Sequence, residues 1–386
     1  MSKSKNKTDL NEAGDEDTPA DIRQLTIQEA LTLGSQHQNS GNLSQAESLY
    51  RQVLQMDPNQ PDGLQLLGVI ALQRGDAELA VDLLTQSLAV ESGFANVHSN
   101  LGSALKRVGR IDDALASYRN ALAIDPNFVG AHLNLGFLFR DTGKLDAAVD
   151  SLRTALALDP ENSKAEYLLA ALTDETTEAP PEGFVKQIFD EHATVFERRM
   201  KEGDSWLPQI VRSAAARLIE QRGVDTALPF PNTLDLGCGT GRAGVEFRDI
   251  VGKLHGVDLS PKMMDQAREK GVYDSLFLDE FTGFLEQAED TYDLVLAVDS
   301  FLYTGPLEAV FSGVIRVLRV GGAFAFTVEA LDSGDFALRG TCHHAHGEGY
   351  VRQLAADHRF DVVLCEPIDN MRFGIKGTLF WLEKSG

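Results

Sequence analysis

The chain has 386 residues, enough for two or three domains, and its 43% hydrophobic and 8% aromatic content is that of ordinary soluble globular domains. A formal net charge of −23 would repel phosphate backbones, which argues against a nucleic-acid substrate, and no apolar run approaches the length of a membrane span. The three cysteines, Cys238, Cys342 and Cys365, lack metal-ligand spacing, and the basic start of the chain has no apolar stretch behind it. Together these predict a cytoplasmic protein with no secretory signal, no disulfide framework and no metal site.

Residues 1–24 are polar and charged and read as a disordered tail. From Ile27 a 34-residue period then runs through four repeats. Leu33-Gly34, Leu67-Gly68, Leu101-Gly102 and Leu135-Gly136 are in phase, as are Gly41, Gly75, Gly109 and Gly143, and Ala46, Ala80, Ala114 and Ala148. Tyr50, Leu84, Tyr118 and Leu152 share another column, and Pro58, Pro126 and Pro160 close three repeats where Ser92 closes the second. Small residues let two antiparallel helices approach closely, the mid-repeat Gly ends the first helix, and Pro ends the second. These columns resemble the tetratricopeptide repeat, so residues 25–175 are expected to form an α-solenoid of four repeats with a polar-faced capping helix at 162–173. Residues 176–183, with Pro180-Pro181, read as a linker before a second domain at 184–386.

Phe184 to Met200 places Phe184, Ile188, Phe189, Val195 and Phe196 at roughly helical spacing, and a further amphipathic helix is expected from Trp206 to Arg222. Thr233, Leu234 and Leu236 form a short buried strand that runs into Gly237, Gly239 and Gly241, a turn on which a ligand can press against bare backbone. Strands follow at 254–258, 275–279, 293–298, 322–328, 361–367 and 376–383, with helices near 241–252, 261–270, 306–318 and 347–358. This alternation predicts a doubly wound, mostly parallel sheet. The last two strands are too close in sequence for a helical crossover, so the final strand is expected to be antiparallel.

The G-x-G-x-G spacing after Asp235 differs from the G-x-G-x-x-G of dinucleotide folds and resembles motif I of class I S-adenosylmethionine-dependent methyltransferases. With Leu-Ala-Ala-Leu-Thr at 169–173, Phe-Val-Lys-Gln-Ile-Phe-Asp at 184–190 and Ala-Phe-Thr-Val-Glu at 325–329, the chain is similar to bacterial tetratricopeptide-repeat methyltransferases of uncharacterised substrate over about residues 27–384. It departs from them at His192, where Tyr is expected, and at Val320, where Pro is expected. The resemblance implies a helical lid at 184–200 and S-adenosyl-L-methionine as cofactor, held by Asp235, Gly237, Gly239, Gly241, Asp258, Asp279 and Asp299. Asp258 would accept from the ribose hydroxyls, and Asp279 would sit beside the adenine amino group.

Methyl transfer from a sulfonium is an in-line displacement, so a general base is needed only where the acceptor must lose a proton. Asp299 and Tyr303 at the carboxyl end of the fourth strand, His346 and His192 are the candidates. His343, His344 and His346 are expected on a polar loop at the rim of the cleft, and Cys238 as a filler inside the turn. Asn100 and Asn134 lie 34 residues apart before the Leu-Gly pairs and could form an amide ladder for an extended protein segment, with Lys106, Arg107 and Arg140 adding an anionic preference. The expected function is methyl transfer to an unidentified acceptor, with the repeats capturing a protein substrate or partner. A nicotinamide oxidoreductase and a non-catalytic adaptor with a degenerate methyltransferase domain are the rival readings.

Overall fold

The computed structural model describes residues 25–190, 193, 196, 206–223, 226, 228–372 and 374–386. The expected tail, His192 and Val195 lie outside them. The chain divides into two compact units between Gly93 and Phe94.

The first unit pairs α1 (Ile27–Asn39) with α2 (Leu43–Met56) and α3 (Pro61–Arg74) with α4 (Ala77–Val90). Helix α1 opens on a capping box, in which Thr26 accepts from the Glu29 amide while the Glu29 carboxylate accepts from Thr26. A Cβ on Gly68 would stand 2.9 Å from the Leu84 side chain, so only glycine allows that pair its close approach. The second unit repeats the arrangement with α5 (Ala95–Arg107) on α6 (Ile111–Ile124) and α7 (Val129–Asp141) on α8 (Leu145–Leu158). There Gly102 faces the Tyr118 ring and Gly136 faces Leu152, with a Cβ position 2.6 and 2.7 Å from the partner. The in-phase alanines are fully buried in both units.

Helix α9 (Ser163–Leu172) forms where the cap was expected, with the Asn162 side chain accepting from the Ala165 amide. Its exposed positions, Ser163 and Glu166, are polar, but much of the helix is covered. Tyr167, Leu168 and Ala171 join Phe184, Leu338 and Cys342 in one buried cluster, so this helix ends the repeats by packing on the element that follows.

Residues 184–190 are helical, as is α10 (Leu207–Gln221). The sheet contains β1 (Phe230–Leu236), β2 (Val251–Asp258), β3 (Ser275–Leu278), β4 (Tyr292–Ala297), β5 (Leu318–Leu331), β6 (Phe336–Leu338), β7 (His344–Gly347), β8 (Phe360–Arg372) and β9 (Ile375–Lys384). Its order is β3-β2-β1-β4-β5-β7-β6, and β9 pairs antiparallel with both β5 and β8. The joins from β3 through to β7 are all parallel. Alternate residues face opposite layers: Val295, Phe324, Phe326 and Phe380 lie in one core, and Leu294, Leu296, Ala325 and Trp381 in the other. The first layer is covered by α14 (Glu308–Val317) and α15 (Glu348–Asp357), the second by α10 and α11 (Arg242–Phe247). Helix α12 (Pro261–Lys270) follows β2.

Three expectations change. The helix expected at 241–252 stops at Phe247, because β2 already begins at Val251. The short α13 (Phe281–Gln287) and the pair β6–β7 carry no periodic signal in the sequence. Of the three histidines expected on a polar loop at the cleft rim, His343 is on the loop before β7, but His344 and His346 are buried on β7 itself.

Gly102→Val drives a side chain into Tyr118 and should cost about 1–3 kcal/mol by overpacking, read as a lowered urea midpoint. Gly349→Ala, in α15 with open space around its Cβ position, should instead be neutral or stabilise by about 0.5–1 kcal/mol.

Candidate active site

The carboxyl ends of β1 to β4 open onto a cavity of about 320 Å³ lined by Asp235, Gly237, Gly239, Asp258, Asp279, Asp299 and Tyr303. Seven of the residues singled out from the sequence thus share one wall system. Gly237, Gly239 and Gly241 have φ of +69°, +54° and +85°, which L side chains rarely adopt. A Cβ on Gly239 would meet nothing within 4 Å, so the bare backbone faces open space. Gly241 lies just below the surface, capping α11 with its Cβ position 3.0 Å from the Tyr273 ring.

Asp258 ends β2 and accepts from the amides of Gly239 and Ser260, each at 2.8 Å and each on a different carboxylate oxygen. The Leu259 amide adds a third donor, and the acceptor capacity left on the carboxylate can take a ligand hydroxyl. Burial raises its pKa against the pull of these N–H donors, and the Asp190 carboxylate adds to the rise. Asp279 is exposed, lines the cavity and accepts from the Glu280 amide at 2.8 Å on one oxygen. The spare acceptors of Asp258 and the open backbone at Gly239 fit a nucleoside-bearing cofactor.

Asp235 is 1% exposed and accepts from the Tyr273 hydroxyl at 2.7 Å. Burial raises this carboxyl to about 7, opposed by the Tyr273 hydrogen bond and reinforced by the Asp258 carboxylate. Ser300 also escaped the sequence reading: its hydroxyl donates to the Leu236 carbonyl at 2.7 Å and supports the glycine turn from β4. Cys238 is buried and its thiol is pushed well up by desolvation, which suits a filler rather than a nucleophile.

Asp299 has a φ of +63°, uncommon for a residue with a side chain, and its amide donates to Thr327 Oγ1 at 2.9 Å. Aspartate is among the residues that adopt this backbone, and the turn places Asp299 just past the carboxyl end of a central strand. Tyr303 packs edge-on against Phe189 and His343, with centroids 5.7 and 5.3 Å apart. His343 Nδ1 lies 2.8 Å from the buried Glu329 carboxylate.

His346 is not on the cavity wall. It is 1% exposed, and its Nε2 donates to the carbonyls of Thr304 and Gly305 at 2.9 and 2.8 Å. Desolvation lowers its pKa to about 4, which keeps the ring neutral. It braces the loop that carries Tyr303 and does not face the acceptor space.

In the repeats, Asn100 and Asn134 are half-buried, and Asn134 donates one N–H to Ser99 Oγ at 3.1 Å. Arg140 is committed elsewhere than to a groove anion: it pairs with Asp141 at 2.7 Å and donates to Cys342 Sγ at 3.1 Å. Lys106 also pairs with Asp141, at 2.6 Å.

Residues 233–322 match the family model of a methyltransferase domain, and residues 39–103 and 105–172 that of the tetratricopeptide repeat. The chain is 29% identical over 136 residues to malonyl-[acyl-carrier protein] O-methyltransferase of Salmonella typhimurium, covering 34% of this chain and 54% of that protein. It is 34% identical over 142 residues to methyltransferase-like protein 27 of Homo sapiens, covering 34% and 57%. The chain spans about half the length of these curated relatives. Magnesium protoporphyrin IX methyltransferase from Synechocystis PCC 6803 aligns at 17% identity over 53% of this chain and all of that one, with a TM-score of 0.43. MamA aligns at 22% identity over 43% and 91%, with a TM-score of 0.34. At these scores neither likeness bears on the site.

A carboxyl whose folded pKa is raised from 3.8 to about 7 gives stability that is complete below about pH 4 and lost as pH rises through 7. Asp235→Asn lacks that loss. Its stability relative to the wild type should therefore climb between about pH 4 and 7, by at most ~4 kcal/mol, and level off above. Urea midpoints at the two ends of that window test this.

Proposed function

We propose, for a chain that carries tetratricopeptide repeats ahead of a methyltransferase domain, that it transfers a methyl group from S-adenosylmethionine to an acceptor its repeats help to capture. The observation that carries this reading is the open backbone at Gly239 beside the acceptor oxygens of Asp258, with Asp279 on the next strand end of the same cavity. We take residues 25–175 as the repeat domain and 184–386 as the methyltransferase domain.

The bound cofactor supplies an electrophilic methyl on a sulfonium. The chain's own residues bind, align and exclude water. Asp258 accepts from the ribose hydroxyls, Asp279 accepts at the base, and the turn at Gly237–Gly241 bears the rest of the cofactor on its backbone. Asp235, buried against Tyr273, holds that turn in shape. Asp299, aimed by its left-handed backbone, orients the acceptor's nucleophile or takes its proton where one must leave. Phe189 and Tyr303 close the space between them and keep it dry.

Calorimetry on the full chain should show binding of S-adenosylmethionine or S-adenosylhomocysteine, with NAD and NADP silent. NAD binding without either would favour the oxidoreductase, and no nucleotide binding at all would favour the adaptor. Asp258→Ala removes two charge-assisted acceptors, each worth roughly 1.5–3 kcal/mol, and also leaves the Gly239 and Ser260 amides unpaired. Cofactor affinity should fall by about tenfold or more in a variant that stays folded by circular dichroism.

For the repeats, we propose that Asn100 and Asn134 hold the backbone of an extended protein segment. Each side-chain amide offers a donor and an acceptor, and Asn134 keeps its oxygen and one N–H after bonding Ser99. In a pull-down with the full chain, Asn100→Ala/Asn134→Ala should capture less of the proteins that the wild type retains. Equal capture would remove the ladder from the account.

A further inference from the structure

The cavity has two halves. The glycine turn, Asp258 and Asp279 line the ends of β1, β2 and the segment after β3. On the other side, beside the ends of β4 and β5, the lining comes partly from outside the sheet, from Ala179, Pro180, Pro181 and Val185. These residues belong to the stretch leading out of α9, which the sequence marked as a linker.

That stretch is fastened. The Gly305 amide donates to the Glu178 carbonyl at 3.1 Å, and His344 Nε2 donates to the Thr177 carbonyl at 2.7 Å. A carbonyl can only accept, so Nε2 of His344 carries a hydrogen, and desolvation lowers the pKa of the ring. A Cβ on Gly305 would stand 2.5 Å from the Glu178 oxygen, so no other residue fits under the strand of chain. His346, two residues along β7, holds the Thr304 and Gly305 carbonyls from the same side. The two histidines therefore brace the two walls of this half against each other.

We propose that residues 177–183 form the acceptor-facing wall of the active site, and that Pro180 and Pro181 select an acceptor presenting an uncharged, apolar group. His344, His346 and Gly305 are the positioning residues. Rested on the methyl-transfer reading, this assigns a class of acceptor to the second half. Proline has no amide hydrogen, so the wall offers no N–H donor at either position to an anionic group. Beside the end of β4 the ionisable lining residues are Asp299 and Tyr303, an acid and a phenol, while the basic lining residue Arg242 opens the helix after β1; a carboxylate acceptor beside β4 would meet Asp299 as a like charge. Val185 and Phe189 continue the apolar surface.

The test uses the full chain saturated with S-adenosylhomocysteine. The neutral fluorophore N-phenyl-1-naphthylamine should bind, and the anionic 1-anilinonaphthalene-8-sulfonate should bind at least about tenfold more weakly. Pro180→Asp/Pro181→Asp, at two half-buried positions, should weaken the neutral probe about tenfold or more, because the charge would be desolvated against it. S-adenosylhomocysteine affinity should stay within about threefold. His344→Gln tests positioning: it should weaken the neutral probe and speed proteolysis near residues 174–183, with S-adenosylhomocysteine again retained. An unaltered neutral probe in the proline variant, equal binding of the two probes, or a parallel loss of S-adenosylhomocysteine would overturn the proposal. A wild type that binds the neutral probe but no S-adenosylhomocysteine would instead overturn the methyl-transfer reading.

Discussion

The glycine turn at the carboxyl end of β1 depends on one buried phenol. Tyr273 sits beneath the glycine turn, and its ring is admitted by glycines on three elements: added Cβ atoms on Gly241, Gly244 and Gly256 would each come within 3.0 Å of it. Its hydroxyl supplies a donor to the Asp235 carboxyl, which is 1% exposed. A buried carboxylate without such a partner would be strongly disfavoured. The turn, the strand before it and the helix after it are thereby set around a single side chain, and the open face at Gly239 is the consequence above it.

The same economy holds at the other end of the site. Helix α9 shares a core with Phe184, Leu338 and Cys342, the Tyr167 hydroxyl donates to the Cys342 carbonyl at 3.1 Å, and Arg140 reaches the Cys342 sulfur. Cys342 itself has a φ of +64°. The last repeats and the sheet are therefore continuous through packed side chains within the second unit, and the stretch between them is built into the wall of the cavity.

Much of this was legible in the sequence, for a definable reason. Repeats and strands announce themselves by period: the in-phase glycines and alanines gave the helix pairs, and alternating apolar runs gave all but two of the strands. The glycine turn, Asp258, Asp279 and Asp299 were visible because each stands at a fixed place relative to a strand end. What stayed hidden were contacts with no local pattern. Tyr273 is a lone aromatic in a connecting loop, Ser300 follows a more conspicuous aspartate, and β6 and β7 are only three and four residues long. His346 looked like a candidate base because a sequence does not say which face of a strand is buried. Pro180-Pro181 looked like a spacer because proline punctuates linkers and walls alike.

The fastening of that wall has a consequence for the order in which the molecule is made. Thr177 and His344 are 167 residues apart in the chain, and the loop at Gly305 is the nearer of the two anchors. During synthesis the helical pairs can close on contacts between neighbours, whereas the wall waits for β7 to leave the ribosome. Contacts of such long range form late, after the entropy of the intervening loop has been lost. The nascent chain therefore carries this surface unclosed while the 167 residues up to His344 are made, an interval in which chaperones that recognise exposed apolar segments can reach residues 177–189.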